Sequence, residues 1–317
     1  MQISTPGRTA ATAAPRAVRS RIDRRRVDVS GLAFRAALFG ALAFTVLTLL
    51  VLLVTIATDG LDVLTTRGAS FLQGRLRSLP EEAGIHEGLR GTFWIGVFVV
   101  VLAFPLGIGA AIYLEEYAPK TRFTRLIDIN IRNLAGVPSI VYGILGFAIF
   151  VKSLGAFTGG RSVVAGGITL AILVLPIVII TSAEAIRAVP QGLKEASLGV
   201  GATQWETIRH HILPYAAPGI LTGTVLSLAR ALGEAAPLIL VGAVTNSLGS
   251  DPGLFDVGSL QDRFTAMPSV ITQWAGMAQG GFKANTAAAI LVLMAIVLVA
   301  NGTAIVLRNR FEAKRRG

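Results

Sequence analysis

The chain has 317 residues, of which 53% are hydrophobic and only 15% are charged, and its mean hydropathy is +0.66. Soluble domains usually carry about 25% charged residues, so an integral membrane protein is favoured over a soluble one. The absence of cysteine excludes disulfides and thiolate metal sites. A net charge of +11 would also suit a nucleic-acid partner, unless the basic residues are distributed as in a membrane protein.

Six apolar runs are long enough to cross a bilayer as helices, which takes about 20 residues each. The first, residues 32–58, follows a polar, arginine-rich stretch over residues 1–31 that we interpret as a basic cytoplasmic tail. The other five runs fall within residues 88–308, which are predicted to form the membrane permease domain, and residues 309–317 form a second basic tail. These five runs are Thr92–Tyr117, Leu134–Phe157, Val163–Val189, Ala216–Val244 and Asn285–Val306. The predicted fold is an all-α bundle of six transmembrane helices.

The positions of Lys and Arg predict the orientation, because cytoplasmic loops carry an excess of these residues. With six spans both termini share a side, and most of the 29 Lys and Arg residues fall on that side. The opposite loops hold the minority, which are Arg67, Arg75, Arg77, Arg90, Lys152, Arg161, Arg263 and Lys283. We therefore expect a multi-pass protein of the bacterial cytoplasmic (inner) membrane with both termini in the cytoplasm. This arrangement explains most of the positive charge without nucleic acid.

A polar segment at residues 190–214 separates the fourth and fifth runs. Pro190 is expected to end the fourth helix, and residues 194–198 and 204–210 are predicted to form two short helices. Glycine at position 201 allows a tight bend between them, and Pro214 is expected to start the next span. A helical hairpin of this kind would project into the cytoplasm and transmit a push from a soluble motor to the bundle.

The segment resembles the EAA loop of ABC importer permeases, a Glu-Ala-Ala triplet followed at fixed spacing by Gly and by Ile-x-Leu-Pro. Two positions depart from that pattern: Ser197 replaces the second Ala, and His211 replaces the Ile. The resemblance implies the type I ABC importer permease fold and a coupling role toward a cytoplasmic ATP-binding subunit. The positions that carry this expectation are Glu195, Ala196, Ser197, Gly201, Leu213 and Pro214.

Three further stretches are similar to the permeases of phosphate importers: residues 134–143 (LAGVPSIVYG), residues 105–117 ending in Glu-Glu-Tyr, and residues 229–237 (ARALGEAAP). Residues 267–274 resemble the outer loop of PstA-type subunits rather than that of their PstC-type partners. The resemblance implies a phosphate importer with a PstC-like permease subunit, two cytoplasmic ATP-binding subunits and an extracytoplasmic phosphate-binding protein. The alternatives are another oxyanion such as sulfate or molybdate, the PstC-type role, or a membrane scaffold or sensor that transports nothing.

Two charges, Arg230 and Glu234, lie within the fifth run. An arginine in mid-membrane costs about 2.5–3.5 kcal/mol on insertion scales, so it persists only when paired or facing water. Residues four apart on a helix share a face and can meet, and Ser227 continues that face. We expect either a structural ion pair or a substrate path, in which the guanidinium binds an oxyanion and the hydroxyls of Ser227 or Ser139 assist.

Several weaker signals complete the sequence. Gly219 and Gly223 have the spacing of close helix packing, within the chain or across a subunit boundary. The outer loop over residues 245–283 is either a plain connector or a cap and docking surface. Residues 155–162 lack the lysine of a phosphate-binding P-loop, so ATP hydrolysis is expected in a separate subunit. No catalytic group, metal site or cofactor is predicted.

Overall fold

The computed structural model describes residues 29–243 and 253–316, and every regular element within these ranges is a helix. The chain divides into two units, residues 1–55 and 56–317. Most of the predicted N-terminal tail, residues 1–28, lies outside the described residues, as does part of the outer loop, residues 244–252 with Asp251.

The first helix, α1, spans Val29–Gln73 and is longer than the predicted run at residues 32–58. In the first unit its Leu, Phe and Val side chains are exposed around the whole helix, which is typical of a helix surrounded by lipid. The hydroxyls of Thr45, Thr48 and Thr55 each donate to the carbonyl four residues earlier. These threonines therefore present no unpaired donor to a hydrocarbon environment.

The second span covers His86–Tyr117 and begins earlier than predicted, because its outer turn is polar and hydropathy alone does not detect it. Helix α2 (His86–Phe98) and helix α3 (Phe104–Ile112) are joined by a π-helical turn at Val99–Ala103. A second π-helical turn, Tyr113–Tyr117, ends the span.

The third predicted run, Leu134–Phe157, is sharply bent near its start. Helix α4 (Arg122–Ala135) meets the next helical stretch, Ser139–Ser153, at an angle of 98° around Gly136 and Pro138. That stretch consists of helix α5 (Ser139–Gly146) and a π-helical turn, Phe147–Ser153. Proline lacks an N–H and disfavours helical geometry in the residue before it, so the helix breaks there. The described residues thus contain five unbroken candidate spans and one bent pair, and a total of six holds when the pair counts as one span.

The fourth span lies at the centre of the second unit. A single helical turn, α6 (Gly155–Thr158), precedes α7 (Val163–Arg187), whose side chains are mostly buried against α2, α3 and α5. Helix α10 (Leu213–Gly233) also packs along α7. A Cβ on Gly223 would lie 2.2 Å from the Thr181 hydroxyl oxygen, and Gly219 is similarly close to α7. The predicted close approach is therefore confirmed and occurs within the chain.

Replacing Gly223 by alanine is expected to destabilise this unit by about 1–3 kcal/mol through overpacking against Thr181. This loss exceeds the gain of about 1 kcal/mol that alanine brings to a helix interior. The measurement is the thermal unfolding midpoint in detergent. Gly109→Ala is the matched control, because Gly109 lies within α3 with open space around it. Equal midpoints for the two variants would contradict the packing argument.

The fifth predicted run, Ala216–Val244, is also divided. Helix α10 ends at Gly233, and a short helix, α11 (Ala236–Val241), follows after a break. Glu234, between the two helices, has extended backbone, and Pro237 lies in the first turn of α11, where its missing N–H is tolerated. Helix α11 crosses α5 closely, since a Cβ on Gly143 would lie 2.7 Å from the Pro237 Cα.

The last span is longer than predicted at both ends. After the short helix α12 (Met267–Ala275), helix α13 runs over Gly280–Arg316 and includes the predicted run Asn285–Val306. It also includes residues 309–316 of the predicted C-terminal tail, and residue 317 lies outside the described residues.

The described part of the outer loop is packed against α2 and is not a free connector. Arg90 is only 4% exposed, and its guanidinium donates to the Asp256 carbonyl at 3.3 Å and to the Ser259 hydroxyl. The indole N–H of Trp94 donates to the Leu254 carbonyl at 3.0 Å. These contacts hold Leu254, Asp256 and Ser259 against the second span.

Candidate substrate path and coupling segment

The polar segment between the fourth and fifth spans forms two helices, as the sequence predicts. Helix α8 covers Gln191–Gly199 and helix α9 covers Gln204–Thr207. Gly201 lies between them with a φ of 91°, in the left-handed region that glycine adopts without strain. We call α8, α9 and the turn between them the coupling segment.

Internal hydrogen bonds give the coupling segment a fixed shape. The buried hydroxyls of Ser197 and Thr207 lie 2.9 Å apart and join α8 to α9. Thr203 caps α9 by accepting from the Glu206 N–H at 3.3 Å, and the Glu206 carboxylate accepts from the Thr203 N–H at 2.8 Å. Ser197, the residue that departs from the family triplet, thus forms the bond between the two helices.

The outward side of the coupling segment is apolar. Leu198 is 50% exposed, Val200 is 86% exposed and Trp205 is 53% exposed. Glu195 and Ala196 of the predicted triplet are exposed beside them. Exposed apolar groups on a polar segment outside the spans indicate a protein–protein contact. We call Leu198, Val200 and Trp205 the coupling face.

The coupling segment continues into the fifth span without a break. Helix α9 passes through a π-helical turn, Ile208–Ile212, directly into α10, so that Gln204–Gly233 is one helical rod. Pro214 was expected to start the next span; it does lie at the start of α10, but the helical rod begins earlier, at Gln204. Pro214 lies in the first turn of α10, where the π-helical turn already shifts the regular hydrogen-bond ladder and the missing N–H is tolerated. Leu213 beside it is half-buried and Pro214 is exposed.

The ends of the second and fourth spans next to the coupling segment carry ion pairs that the sequence does not reveal. The Lys194 ammonium lies 2.5 Å from the Glu116 carboxylate, and Arg187 binds Glu115 with its Nε 3.2 Å from Oε2. The Gln204 amide donates to the Glu116 carbonyl. These partners are far apart in sequence, and hydropathy and spacing say nothing about such pairs. Among the described residues no group of three or more His, Asp or Glu side chains could hold a metal ion.

The predicted contact between the two charges of the fifth run is present. Arg230 Nε lies 3.4 Å from Glu234 Oε1, and the two side chains are 44% and 21% exposed. Arg230 is in the last turn of α10, whereas Glu234 follows that helix with extended backbone. The pair therefore lies where the span breaks, with the arginine on the surface of this unit.

Two residues of α5 belong to the same region. The Tyr142 hydroxyl donates to the Leu134 carbonyl at 2.9 Å. Ser139 opens the same helix one turn earlier and is half-buried. Helix α5 crosses α11, the short helix that follows the Arg230–Glu234 pair in the chain.

Ser227 and Arg230 were predicted to share one polar face of the fifth run, but they face different surroundings. Ser227 is 1% exposed, and its hydroxyl donates to the Gly223 carbonyl at 2.8 Å. Gly223 in turn packs on Thr181 of α7. In this conformation Ser227 thus faces the interior of the unit, while Arg230 faces outward.

These helical spans, the coupling segment and the charge pair at a span break together define a membrane transport permease. Residues 103–314 match the family described as the binding-protein-dependent transport system inner membrane component, and the chain belongs to this family. It is a multi-pass protein of the inner membrane.

Two relatives show how far the similarity extends. The chain is 33% identical to phosphate transport system permease protein PstA 1 of Mycobacterium tuberculosis over 241 residues, 75% of this chain and 75% of that protein. It is 34% identical to probable ABC transporter permease protein YqgI of Bacillus subtilis over 175 residues, 55% of this chain and 58% of that protein. The chain thus spans little more than half the length of YqgI.

Solved structures share the fold. A chain of a bacterial alginate ABC transporter superposes with a TM-score of 0.62 at 15% identity, covering 87% of this chain and 95% of that one. A chain of the MetNI methionine ABC transporter in an inward-facing conformation gives a TM-score of 0.54 at 18% identity, covering 72% and 94%. The chain therefore has the all-α fold of type I ABC importer permeases.

Proposed function

We propose that this chain is the PstA-like permease subunit of an ATP-driven importer of inorganic phosphate. The observation that carries the proposal is the 33% identity with PstA 1 across three quarters of both chains. Relatives named PstC match over smaller shares, 55% and 66% of this chain. The PstA-type role is therefore favoured over the PstC-type role.

The proposed assembly contains a PstC-like permease, two cytoplasmic ATP-binding subunits and an extracytoplasmic phosphate-binding protein. The coupling face would bind one ATP-binding subunit, which would supply the ATP hydrolysis. An exposed tryptophan with apolar neighbours supports this role, because tryptophan is enriched among residues that dominate interface energetics. The coupling segment and both termini would then lie in the cytoplasm, in agreement with the distribution of Lys and Arg.

Arg230 is proposed to attract phosphate within the membrane. A guanidinium binds phosphate oxygens through two parallel N–H donors, which an ammonium cannot do. The 3.4 Å contact with Glu234 is long for a charge-assisted hydrogen bond, so an arriving anion could displace it. Glu234 would then compete for the guanidinium and help the anion to leave. Ser139 could add a hydroxyl donor, whereas Ser227 would reach the path only after α10 separated from α7.

The test is uptake by proteoliposomes that contain the complete set of subunits with ATP inside. Radiolabelled phosphate is expected to accumulate only with ATP, the binding protein and this chain present. Sulfate and molybdate, supplied at the same concentration, are expected not to accumulate. ATP-dependent accumulation of either of those anions in place of phosphate would assign the chain to a different oxyanion importer. Co-purification of the ATP-binding subunits without any uptake would favour the scaffold alternative.

A further inference from the structure

The π-helical turn that ends the second span presents two adjacent carboxylates, Glu115 and Glu116, which we call the acidic turn. The sequence singles out these residues by resemblance, but the proposed transport path does not use them. Their basic partners lie 72 and 78 positions later in the chain. π-helical turns inside helices occur frequently at functional sites.

Glu116 holds both helices of the coupling segment. Its carboxylate binds the Lys194 ammonium of α8 at 2.5 Å, and its backbone carbonyl accepts from the Gln204 amide at the start of α9. The Lys194 and Glu116 side chains are only 16% and 9% exposed. One residue at the end of the second span is thus bonded to each half of the hairpin.

Glu115 joins the same turn to the fourth span. Arg187, the last residue of α7, donates to both carboxylate oxygens of Glu115, through Nε at 3.2 Å and through Nη2. This two-pronged geometry fixes the direction of the guanidinium as well as its distance. The acidic turn therefore connects the second span, the fourth span and the coupling segment at one point.

Burial distinguishes the Glu116 contact from the other ion pairs on this side. Arg132 and Glu184 are 3.8 Å apart with side chains 40% and 58% exposed, and exposed pairs of this kind contribute little. The Glu116–Lys194 pair is sheltered, so removal of one partner leaves a poorly solvated charge. A sheltered pair between two separate elements resists their relative displacement.

We propose that Glu116 is a positioning residue that makes the second span move with the coupling segment during the transport cycle. The unbroken helix Gln204–Gly233 already connects the segment to the fifth span. The acidic turn adds a polar connection from the segment to the second span, whose Ala111 also packs in one apolar cluster with Ile212. Movement of the ATP-binding subunits would thus displace two spans together. This inference rests on the proposed function.

The first test compares phosphate moved per ATP hydrolysed in proteoliposomes containing the complete transporter. Glu116→Gln is expected to lower this ratio about tenfold, the effect of losing one charge-assisted hydrogen bond, while ATP hydrolysis continues. The double variant Glu116→Lys with Lys194→Glu is expected to restore the ratio. Glu184→Gln, which removes an exposed carboxylate on the same side, is the control and should leave it unchanged.

Two outcomes of this test overturn the proposal. One is an unchanged ratio in Glu116→Gln. The other is a parallel loss of uptake, ATP hydrolysis and assembled complex that the charge swap does not restore, because that result means a role in folding alone.

A second measurement does not depend on the substrate. Since the chain has no cysteine, Gln191→Cys in α8 and Leu106→Cys in α3 provide unique positions for spin labels. The distance distribution between the labels in the assembled transporter is expected to be narrow, and to broaden in Glu116→Gln. Equal widths would overturn the proposal. If the transporter moves no phosphate, the proposed function fails, while the label distances still test the connection.

Discussion

Replacing Arg230 by glutamine is expected to lower phosphate uptake by about tenfold to a hundredfold, since a hydrogen bond to a charged group contributes about 1.5–3 kcal/mol. Lysine at this position retains the charge but not the two-pronged geometry, so Arg230→Lys should also be impaired, although less severely. The measurement is the initial rate of ATP-dependent phosphate uptake by the complete transporter in proteoliposomes.

Two further variants make the Arg230 experiment specific. Arg263→Gln removes an exposed arginine of the outer loop and is expected to leave uptake near normal. Glu234→Gln removes the competitor for the guanidinium, so phosphate should bind more tightly and turn over more slowly. Unimpaired uptake in both Arg230→Gln and Arg230→Lys would show that Arg230 does not belong to the substrate path.

Truncation of Trp205 to alanine is expected to weaken docking of the ATP-binding subunit by about 2 kcal/mol or more, as for a central interface residue. This corresponds to about a thirtyfold loss of affinity. Val200→Asp should have a similar effect, because it places an unpaired charge in an apolar contact. The measurement is the amount of ATP-binding subunit that co-purifies with the permease in detergent across a dilution series.

Phe157→Ala is the matched control for the docking experiment. Phe157 is 79% exposed and lies at the other end of the fourth span from the coupling segment. It is therefore an exposed aromatic residue outside the coupling face. Docking that is equally strong in Trp205→Ala and Phe157→Ala would show that the coupling face is not the contact.

The sequence predicted the coupling segment well because its signals are local. Gly201 has the positive φ that a bend between two helices requires, and the flanking helices form close to their predicted bounds. The contact between Arg230 and Glu234 was also predictable, since it depends on a spacing of four residues. The break before Glu234 did not prevent that contact.

The bends at Pro138 and Pro237 were not predicted, because prolines are common inside membrane helices and spacing does not show which of them break the helix. Proline at position 176, by contrast, lies within the continuous helix α7. Whether a proline breaks its helix depends on the residues packed around it, such as Gly143 beside Pro237. Such contacts between separate helices cannot be predicted from the sequence of one apolar run.

The contacts of Arg90 and Glu116 were missed for a related reason. Each lies near the end of a span, a place where charged residues are usually solvated. Arg90 is instead buried under the outer loop, and Glu116 is sheltered by Lys194. Only the tertiary structure brings together partners so far apart in sequence.

Gln204 to Gly233 form one unbroken helix. The directions in which side chains at its two ends point are therefore related by the number of residues between them. Each residue turns the helix by about 100° and advances it by about 1.5 Å, so Trp205 and Arg230 stand roughly 38 Å apart on one axis. A single residue inserted or deleted in α10 would rotate the arginine by about 100° relative to the tryptophan, although both side chains would still be present. The number of residues in this rod is thus as strict a requirement as the chemistry at its ends. The π-helical turn at Ile208–Ile212 has more residues per turn, so it changes the angle between the two ends.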